Sequence, residues 1–213
     1  MDPVESDVLV IGSGIAGCAT ALRCAELGLT VTMLSKASDP RETNTRYAQG
    51  GIVAEGTDDS PEILEQDIQR ASANSSNPKA AHVVATEGPP LVRSVLLDKV
   101  GCSFDLNPDG EIDVTQEAAH SRRRIFHAKD ATGREIQFKM TAAVLANERI
   151  NVLTGHTAID IITRSHHSKS PMARYEEDMA LVAYAFDEAT SRVRTFLAPN
   201  VVLATGGLGQ IFL

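Results

Sequence analysis

The chain is short of cysteine, of positive charge and of long apolar runs, and each shortage excludes a class of protein. Three cysteines (Cys18, Cys24, Cys102) among 213 residues cannot all pair. The first two lie six positions apart on one expected helix and so point to different faces. Reduced, mostly buried thiols fit this pattern better than a disulfide framework does. Twenty Lys and Arg against 28 Asp and Glu give a formal net charge of -8. That balance disfavours a nucleic-acid or anionic-membrane partner, and no basic block argues otherwise. No apolar run approaches the roughly 20 residues of a membrane span. The acidic start, Met1 to Asp7, lacks the basic residues and apolar core of a secretion signal. There is no internal repeat and no low-complexity segment. A soluble, cytoplasmic, globular chain is expected, with 43% hydrophobic and 23% charged residues.

What is present is concentrated at the start. Val8-Leu-Val-Ile11 is an uninterrupted apolar run, as expected of a strand covered on both faces. Gly12, Gly14 and Gly17 follow at the G-x-G-x-x-G spacing: the first for a sharp turn, the second for close approach to a pyrophosphate, the third for helix–strand packing. Ile15, Cys18, Ala19 and Leu22 then mark one apolar helical face, Gly28 suits a left-handed helix end, and Val31 to Leu34 is a second strand. A strand–glycine turn–helix–strand unit of this kind predicts a dinucleotide-binding domain of doubly wound, Rossmann-like α/β class.

Further along, a polar stretch from Ala37 to Arg46 precedes Tyr47-Ala-Gln-Gly-Gly51. Its paired glycines suit a backbone passing close to a bulky planar ligand, or a plain turn. Ser60-Pro61 and Asn77-Pro78 each read as a helix start. The first helix has an apolar edge of Ile63, Leu64 and Ile68, and the second carries Val83 and Val84. Pro89-Pro90 is expected to interrupt, with another helix from Leu91 to Leu96 closed by Gly101. Asn107-Pro-Asp-Gly110 is a turn between two short extended pieces, Cys102 to Leu106 and Glu111 to Thr115. Residues 117–133 hold the densest polar chemistry, with His120, Arg122, Arg123, Arg124 and His127 close together. Two readings stay open there: a solvated loop, or guanidinium anchors for an anionic substrate. The histidine spacing does not suit a metal site. A helix from Gly133 to Leu145 and a strand from Ile150 to Leu153 follow. Strands are then expected at 158–162, 179–186, 193–197 and 200–204, with the His166-His167 pair in a charged loop. These strands predict an antiparallel β-meander packed on one side of the parallel sheet. The last, a buried run, ends in a second glycine-rich turn at Thr205-Gly-Gly-Leu-Gly209, again where such sheets bind ligand.

Four segments occur in the same order in one known family: Gly12 to Gly17, Asn44-Thr-Arg-Tyr-Ala-Gln-Gly-Gly51, Glu117-Ala-Ala-His-Ser-Arg-Arg-Arg-Ile125 with Asp130-Ala-Thr-Gly133, and Val201 to Gly207. The chain resembles the succinate dehydrogenase/fumarate reductase flavoprotein family over essentially its whole length, and within it the members that oxidise L-aspartate. The resemblance implies a Rossmann-like FAD-binding domain, incomplete over residues 1–213, ending before a capping domain and a helical C-terminal region. The cofactor would be FAD, with Gly12, Ser13, Gly14, Ile15, Ala16 and Gly17 at the pyrophosphate. Lys36 taken alone suggests a 2′-phosphate and NADP, but the family has a similar pair to Ser35-Lys36 and binds FAD. Asn44, Thr45, Arg46, Tyr47, Ala48, Gln49, Gly50 and Gly51 would run along the flavin. Succinate dehydrogenases attach FAD covalently through a histidine at the position of Asn44, so non-covalent FAD is implied. Thr157 and Ala158 would lie by the adenine, and Ala204, Thr205 and Gly206 would complete the cofactor site. Glu117 matches the carboxylate that orients the substrate amino group, with His120, Arg123 and Arg124 as weaker candidates or supporting residues. The implied reaction is hydride transfer from the Cα of L-aspartate to the flavin, with oxygen or fumarate as acceptor. The iminoaspartate formed would be handed to quinolinate synthase in NAD biosynthesis. The base and remaining anchors of the family lie beyond these motifs, so little or no oxidase activity is expected of the chain alone. A succinate dehydrogenase-type flavoprotein and a non-catalytic FAD-binding remnant needing a partner chain are the alternative readings.

Overall fold

The computed structural model describes residues 2–207. In chain order, β1 (Val4–Glu5) and β2 (Val8–Ile11) lead into α1 (Ile15–Glu26) and β3 (Val31–Leu34). A 3₁₀ turn at Asn44–Tyr47 precedes β4 (Ile52–Val53), α2 (Pro61–Ala71) and α3 (Pro78–Leu91). Next come β5 (Val114–Thr115), β6 (Ile125–Phe126), α4 (Thr132–Leu145), β7 (Ile150–Leu153) and β8 (His156–Thr163). The short α5 (Arg164–His167), then β9 (Ala180–Asp187), β10 (Arg192–Leu197) and β11 (Asn200–Leu203) complete the described fold. The chain divides into two compact units, Met1–Asn44 with Met140–Leu213, and Thr45–Lys139.

The first unit holds a parallel sheet in the order β11, β2, β3, β7. All four residues of both β2 and β3 are buried, which is why their sequences, apart from Thr32, run apolar without alternation. Leu9, Ile11 and Leu34 share a core with Ala183, Ala185, Phe196 and Ala198, so one sheet face packs on the meander β8-β9-β10. Alanines at the inward positions of β9 let the two sheets come close. Against Val10, on the opposite face, lies Gly17 of α1. The buried stripe of α1 is Gly17, Cys18, Ala21, Leu22 and Ala25, rotated from the expected face: Ile15 and Ala19 are only half-buried. The helix ends as expected at Gly28, φ +84°, whose N–H reaches Ala25 O while Leu29 N–H reaches Cys24 O. β11, expected to be buried, is an edge strand with Leu203 64% exposed. The His166-His167 pair falls on the helical turn α5 instead of an open loop. Leu208 and Gly209 of the second glycine turn lie outside the described residues.

The second unit packs α2 and α3 beside a small sheet in the order β4, β6, β5. Ser60 Oγ accepts from Ile63 N–H, and Asn77 Oδ1 accepts from Lys79 and Ala80 N–H, so both helices start at their capping residues. On α3 the buried residues are Ala81, Ala85 and Pro89, while Val83 and Val84 face solvent. Pro89-Pro90 does not break the helix. It continues to Leu91 and passes into a π-helical run, Val92–Lys99. The residue before Pro89 is Gly88, which has no Cβ to clash with the proline ring and so tolerates the helical conformation. The turn at Asn107–Gly110 forms as expected, with Gly110 at φ +84° and Asp109 and Glu111 N–H donating to Asn107 Oδ1. Of the extended pieces around it, only Leu106 and Ile112 pair directly; β5 joins β6 instead.

Candidate functional site

In the first unit the expected cofactor residues collect at one edge. The four strands of the parallel sheet run in the same direction, so Ile11, Leu34, Leu153 and Leu203 end together. Ligands of open α/β sheets bind outside these carboxyl ends. Gly12 sits there at φ +118°, where a Cβ would come within 2.1 Å of Ala204 O. A Cβ on Gly17 would lie 2.0 Å from Gly12 O. The first and third glycines are thus required by backbone packing between β2, β11 and α1. Gly14 is the N-cap of α1 in extended conformation, with no side-chain cap and no acidic residue in the first turn. A first turn without an acidic residue of its own suits a phosphate. Ile15 and Ala16 form the first turn, Ala16 exposed. Ser13, buried, donates its hydroxyl to Ser35 Oγ at 3.1 Å, tying the glycine turn to the end of β3. Lys36 follows, exposed. The Ser35 carbonyl accepts from His156 N–H at 2.9 Å, which places Thr157 and Ala158 just beyond that point on β8. The pairing of β8 with β9 is shifted at Ala158, leaving Ile159 without a partner. Thr205 follows the packed Ala204, and Gly206, at φ +78°, lies beside Asn44: a Cβ there would be 3.6 Å from Asn44 Nδ2.

The second unit collects the other group. Thr45, Arg46 and Tyr47 form the 3₁₀ turn, with Arg46 over the Tyr47 and Phe138 rings at 5.6 and 5.8 Å. Gly133 N–H donates to Ala48 O, and a Cβ on Gly133 would lie 1.9 Å from Thr45 O. Gln49 and Gly50 are exposed. Gly51 has a structural reason of its own, since a Cβ there would lie 2.0 Å from Ile125 Cγ2. Exposed Glu117 accepts from Gly51 N–H through Oε1 at 3.2 Å, and its carboxylate also lies against Gly50.

Of the two readings left open for the arginines, Arg124 fits that of a supporting residue. It is fully buried, with its Nε and Nη2 donating to Asp59 at 2.6 and 2.7 Å and its Nη1 to Asp67 Oδ2 at 2.7 Å. The same Nη1 lies 3.1 Å from His120 Nδ1. Burial by itself would lower its pKa, but the hydrogen bonds it donates to Asp59 and Asp67 raise it instead. A guanidinium with these commitments supports the fold. Arg123 is exposed and 3.6 Å from Asp113 Oδ1. Arg122 donates to Asp58 O and Ser121 O. Asp67 also receives Ser121 N–H and hydroxyl and pairs with Arg70. Burial pushes Asp67 up, yet the bonds from Ser121 and Arg124 outweigh it and hold the carboxyl at about 2.

The sequence pattern does not single out Asp59 or Asp67. A signal for Asp67 existed: an aspartate on the apolar edge of α2, three residues after Leu64, needs a buried cation. A mostly apolar cleft of about 300 Å³ opens beside Ala54, Leu64, Ala85 and Pro89, and of the expected site residues none lines it. Among the described residues no group of three His, Cys, Asp or Glu is placed to hold a metal ion, and no helix is long and apolar enough to cross a membrane.

The glycine turn and the start of α1, with no acidic residue in its first turn, fit a dinucleotide pyrophosphate, and the family model decides which dinucleotide. A model described as "FAD binding domain" matches residues 7–212. The chain belongs to this FAD-binding domain family. L-aspartate oxidase 2-b, chloroplastic, of Nicotiana tabacum is 40% identical over 210 residues, 97% of this chain and 30% of the relative. L-aspartate oxidase of Halobacterium salinarum is 36% identical over 99% of this chain and 39% of its own length. Among solved structures, the Mycobacterium smegmatis Sdh1 complex in the apo form superposes with a TM-score of 0.86 at 27% identity. All of this chain and 36% of that chain take part. An E. coli quinol fumarate reductase variant gives 0.86 at 22% identity, a likeness of fold. The fold is the FAD-binding domain of the succinate dehydrogenase/fumarate reductase flavoproteins, a family of FAD-dependent oxidoreductases, and the cofactor is FAD. The chain spans about a third of the length of the curated relatives it matches.

Proposed function

We propose that the chain supplies the FAD-binding part of a flavoenzyme that oxidises L-aspartate to iminoaspartate for NAD biosynthesis, with quinolinate synthase taking the product. Gly12 to Gly17 would hold the pyrophosphate, Ser35, Lys36, Thr157 and Ala158 the adenosine side, and Asn44 to Gly51 with Ala204 to Gly206 the flavin side. Asn44, an amide where covalent attachment needs a histidine, makes the FAD non-covalent. When bound, FAD supplies the two-electron acceptor, with oxygen or fumarate as the final oxidant. The observation that carries the amino-acid reading is the placement of Glu117: exposed, tethered to Gly51 N–H, and able to accept from a substrate ammonium.

Titrating the longer, FAD-loaded enzyme that carries this chain with L-aspartate and with succinate, followed by flavin absorbance, tests this reading. L-aspartate is expected to bind more tightly, and Glu117→Gln to remove about tenfold or more of that preference, the size of one charge-assisted hydrogen bond. An unchanged preference in the variant removes Glu117 from this role. Turnover belongs to the longer protein in this proposal. The 213-residue chain by itself is expected to release no L-aspartate-dependent peroxide, and sustained release would refute that.

A further inference from the structure

Residues 116–121 form a closed turn fastened at its far end. Gln116 Nε2 donates to His120 O at 2.7 Å, and His120 N–H donates to Glu117 O at 3.1 Å. Between them Ala119 sits at φ +75°, in the left-handed region that costs a residue with a Cβ about 1 kcal/mol or more. A strained turn holds its shape only if its surroundings over-determine it. The fastening is Ser121: its N–H at 2.8 Å and its hydroxyl at 2.9 Å both donate to Asp67 Oδ2. That oxygen also takes Arg124 Nη1 at 2.7 Å, and Asp67 is 2% exposed on α2. Glu117 itself makes only the 3.2 Å contact with Gly51 N–H, on an exposed side chain with three rotatable bonds. Such a contact is too weak to fix the turn that carries it, whereas two bonds to a buried carboxylate are not.

We propose that Ser121, held on Asp67, is the positioning residue that aims Glu117 at Gly50-Gly51; its importance for catalysis rests on the role given to Glu117 above. Ser121 touches no substrate in this account and acts through the path of the chain from 117 to 121.

The test uses the ¹⁵N-labelled 213-residue chain and the pH dependence of the Gly51 amide shift, which reports the charge on whatever carboxylate lies against it. Asp67 keeps its charge down to about pH 2, so the fastening stays intact while other carboxylates titrate. Glu117→Gln is expected to abolish the Gly51 titration. Ser121→Ala is expected to cut it by about half or more, and Ser121→Thr, which keeps the hydroxyl, to restore most of it. Ser121→Cys, of similar size and a weak donor, gives the same comparison if the alanine variant does not fold. Full amplitude in Ser121→Ala overturns the proposal, as does persistence of the titration in Glu117→Gln. A loss equally large at amides throughout 45–139 also overturns it, because it marks general loosening. The readout needs no substrate: full amplitude in Ser121→Ala leaves the role of Glu117 standing, whereas persistence in Glu117→Gln removes the tether to Gly51 on which that role rests. Unchanged amino-acid preference in Glu117→Gln would remove that role and leave the geometry standing.

Discussion

Arg124→Met removes the cation shared by Asp59 and Asp67 while keeping most of the apolar stem. Asp59 then keeps Ser60 N–H, and Asp67 keeps Ser121 and Arg70, but three short charge-assisted bonds of 2.6 to 2.7 Å are gone. Removing one partner of a buried ion pair typically costs about 3–5 kcal/mol, because the other charge is left in a poor solvent. Set against a domain stability of about 5–15 kcal/mol, that is a large share. Urea unfolding followed by far-UV circular dichroism at neutral pH measures it. Acid gives the second dimension. The folded pKa of Asp67 is depressed from 3.8 to about 2, so its contribution, about 2 kcal/mol, is complete above 3.8 and lost as pH falls through about 2. In the variant the less-paired carboxylates accept protons more readily in the folded state, so acid costs it less. The gap between the two proteins should narrow as pH falls from 6 towards 3. A loss under about 1 kcal/mol at neutral pH, or a gap independent of pH, would refute the reading of this cluster as a buried charge network.

Gly17→Ala drives a Cβ to within 2.0 Å of Gly12 O, so the variant should lose FAD binding or fold poorly; flavin retained at the wild-type ratio after gel filtration would count against the packing described. Cys102 is 6% exposed, and burial first, then Glu135, pushes its thiol up to about 11. It should react with a disulfide reagent at pH 8 only on unfolding, and rapid labelling of Cys102 in the native protein, located by peptide mass, would contradict this. Asn77→Ala removes the cap that accepts from Lys79 and Ala80 N–H and should cost about 1 kcal/mol in urea unfolding, whereas no loss would make the cap irrelevant.

The parallel core was legible because its signals are local. Four apolar residues before a glycine turn can only be a covered strand, and the Val8–Ile11, Val31–Leu34 and Ile150–Leu153 strands lie where the pattern places them. The meander was legible in class, with ends shifted by one or two residues. Errors arose where tertiary context decides. The buried face of α1 is set by which side of Gly17 meets β2, which apolar spacing alone does not reveal. Val83 and Val84 are apolar yet exposed, since the α2–α3 contact selects the smaller Ala81 and Ala85. Pro89 stays within a helix with Gly88, which has no Cβ to meet its ring, before it. The polar run 117–133 was ambiguous for a related reason: Arg122, Arg123 and Arg124 are chemically identical, and only Asp59 and Asp67, far away in sequence, single out Arg124 for burial. Glu117 stood out through family likeness, and its tether to Gly51 joins residues 66 positions apart.

FAD binding by the chain itself tests the central claim most directly, because the glycine turn, the start of α1 and the end of β3 all lie within it. Isothermal titration of the purified, folded chain with FAD, beside Gly17→Ala, is the measurement. One saturable site with a perturbed flavin spectrum, lost in the variant, is the predicted result. A chain with native circular dichroism and no saturable FAD binding, or equal binding by the variant, would contradict the assignment of this edge of the sheet to the cofactor.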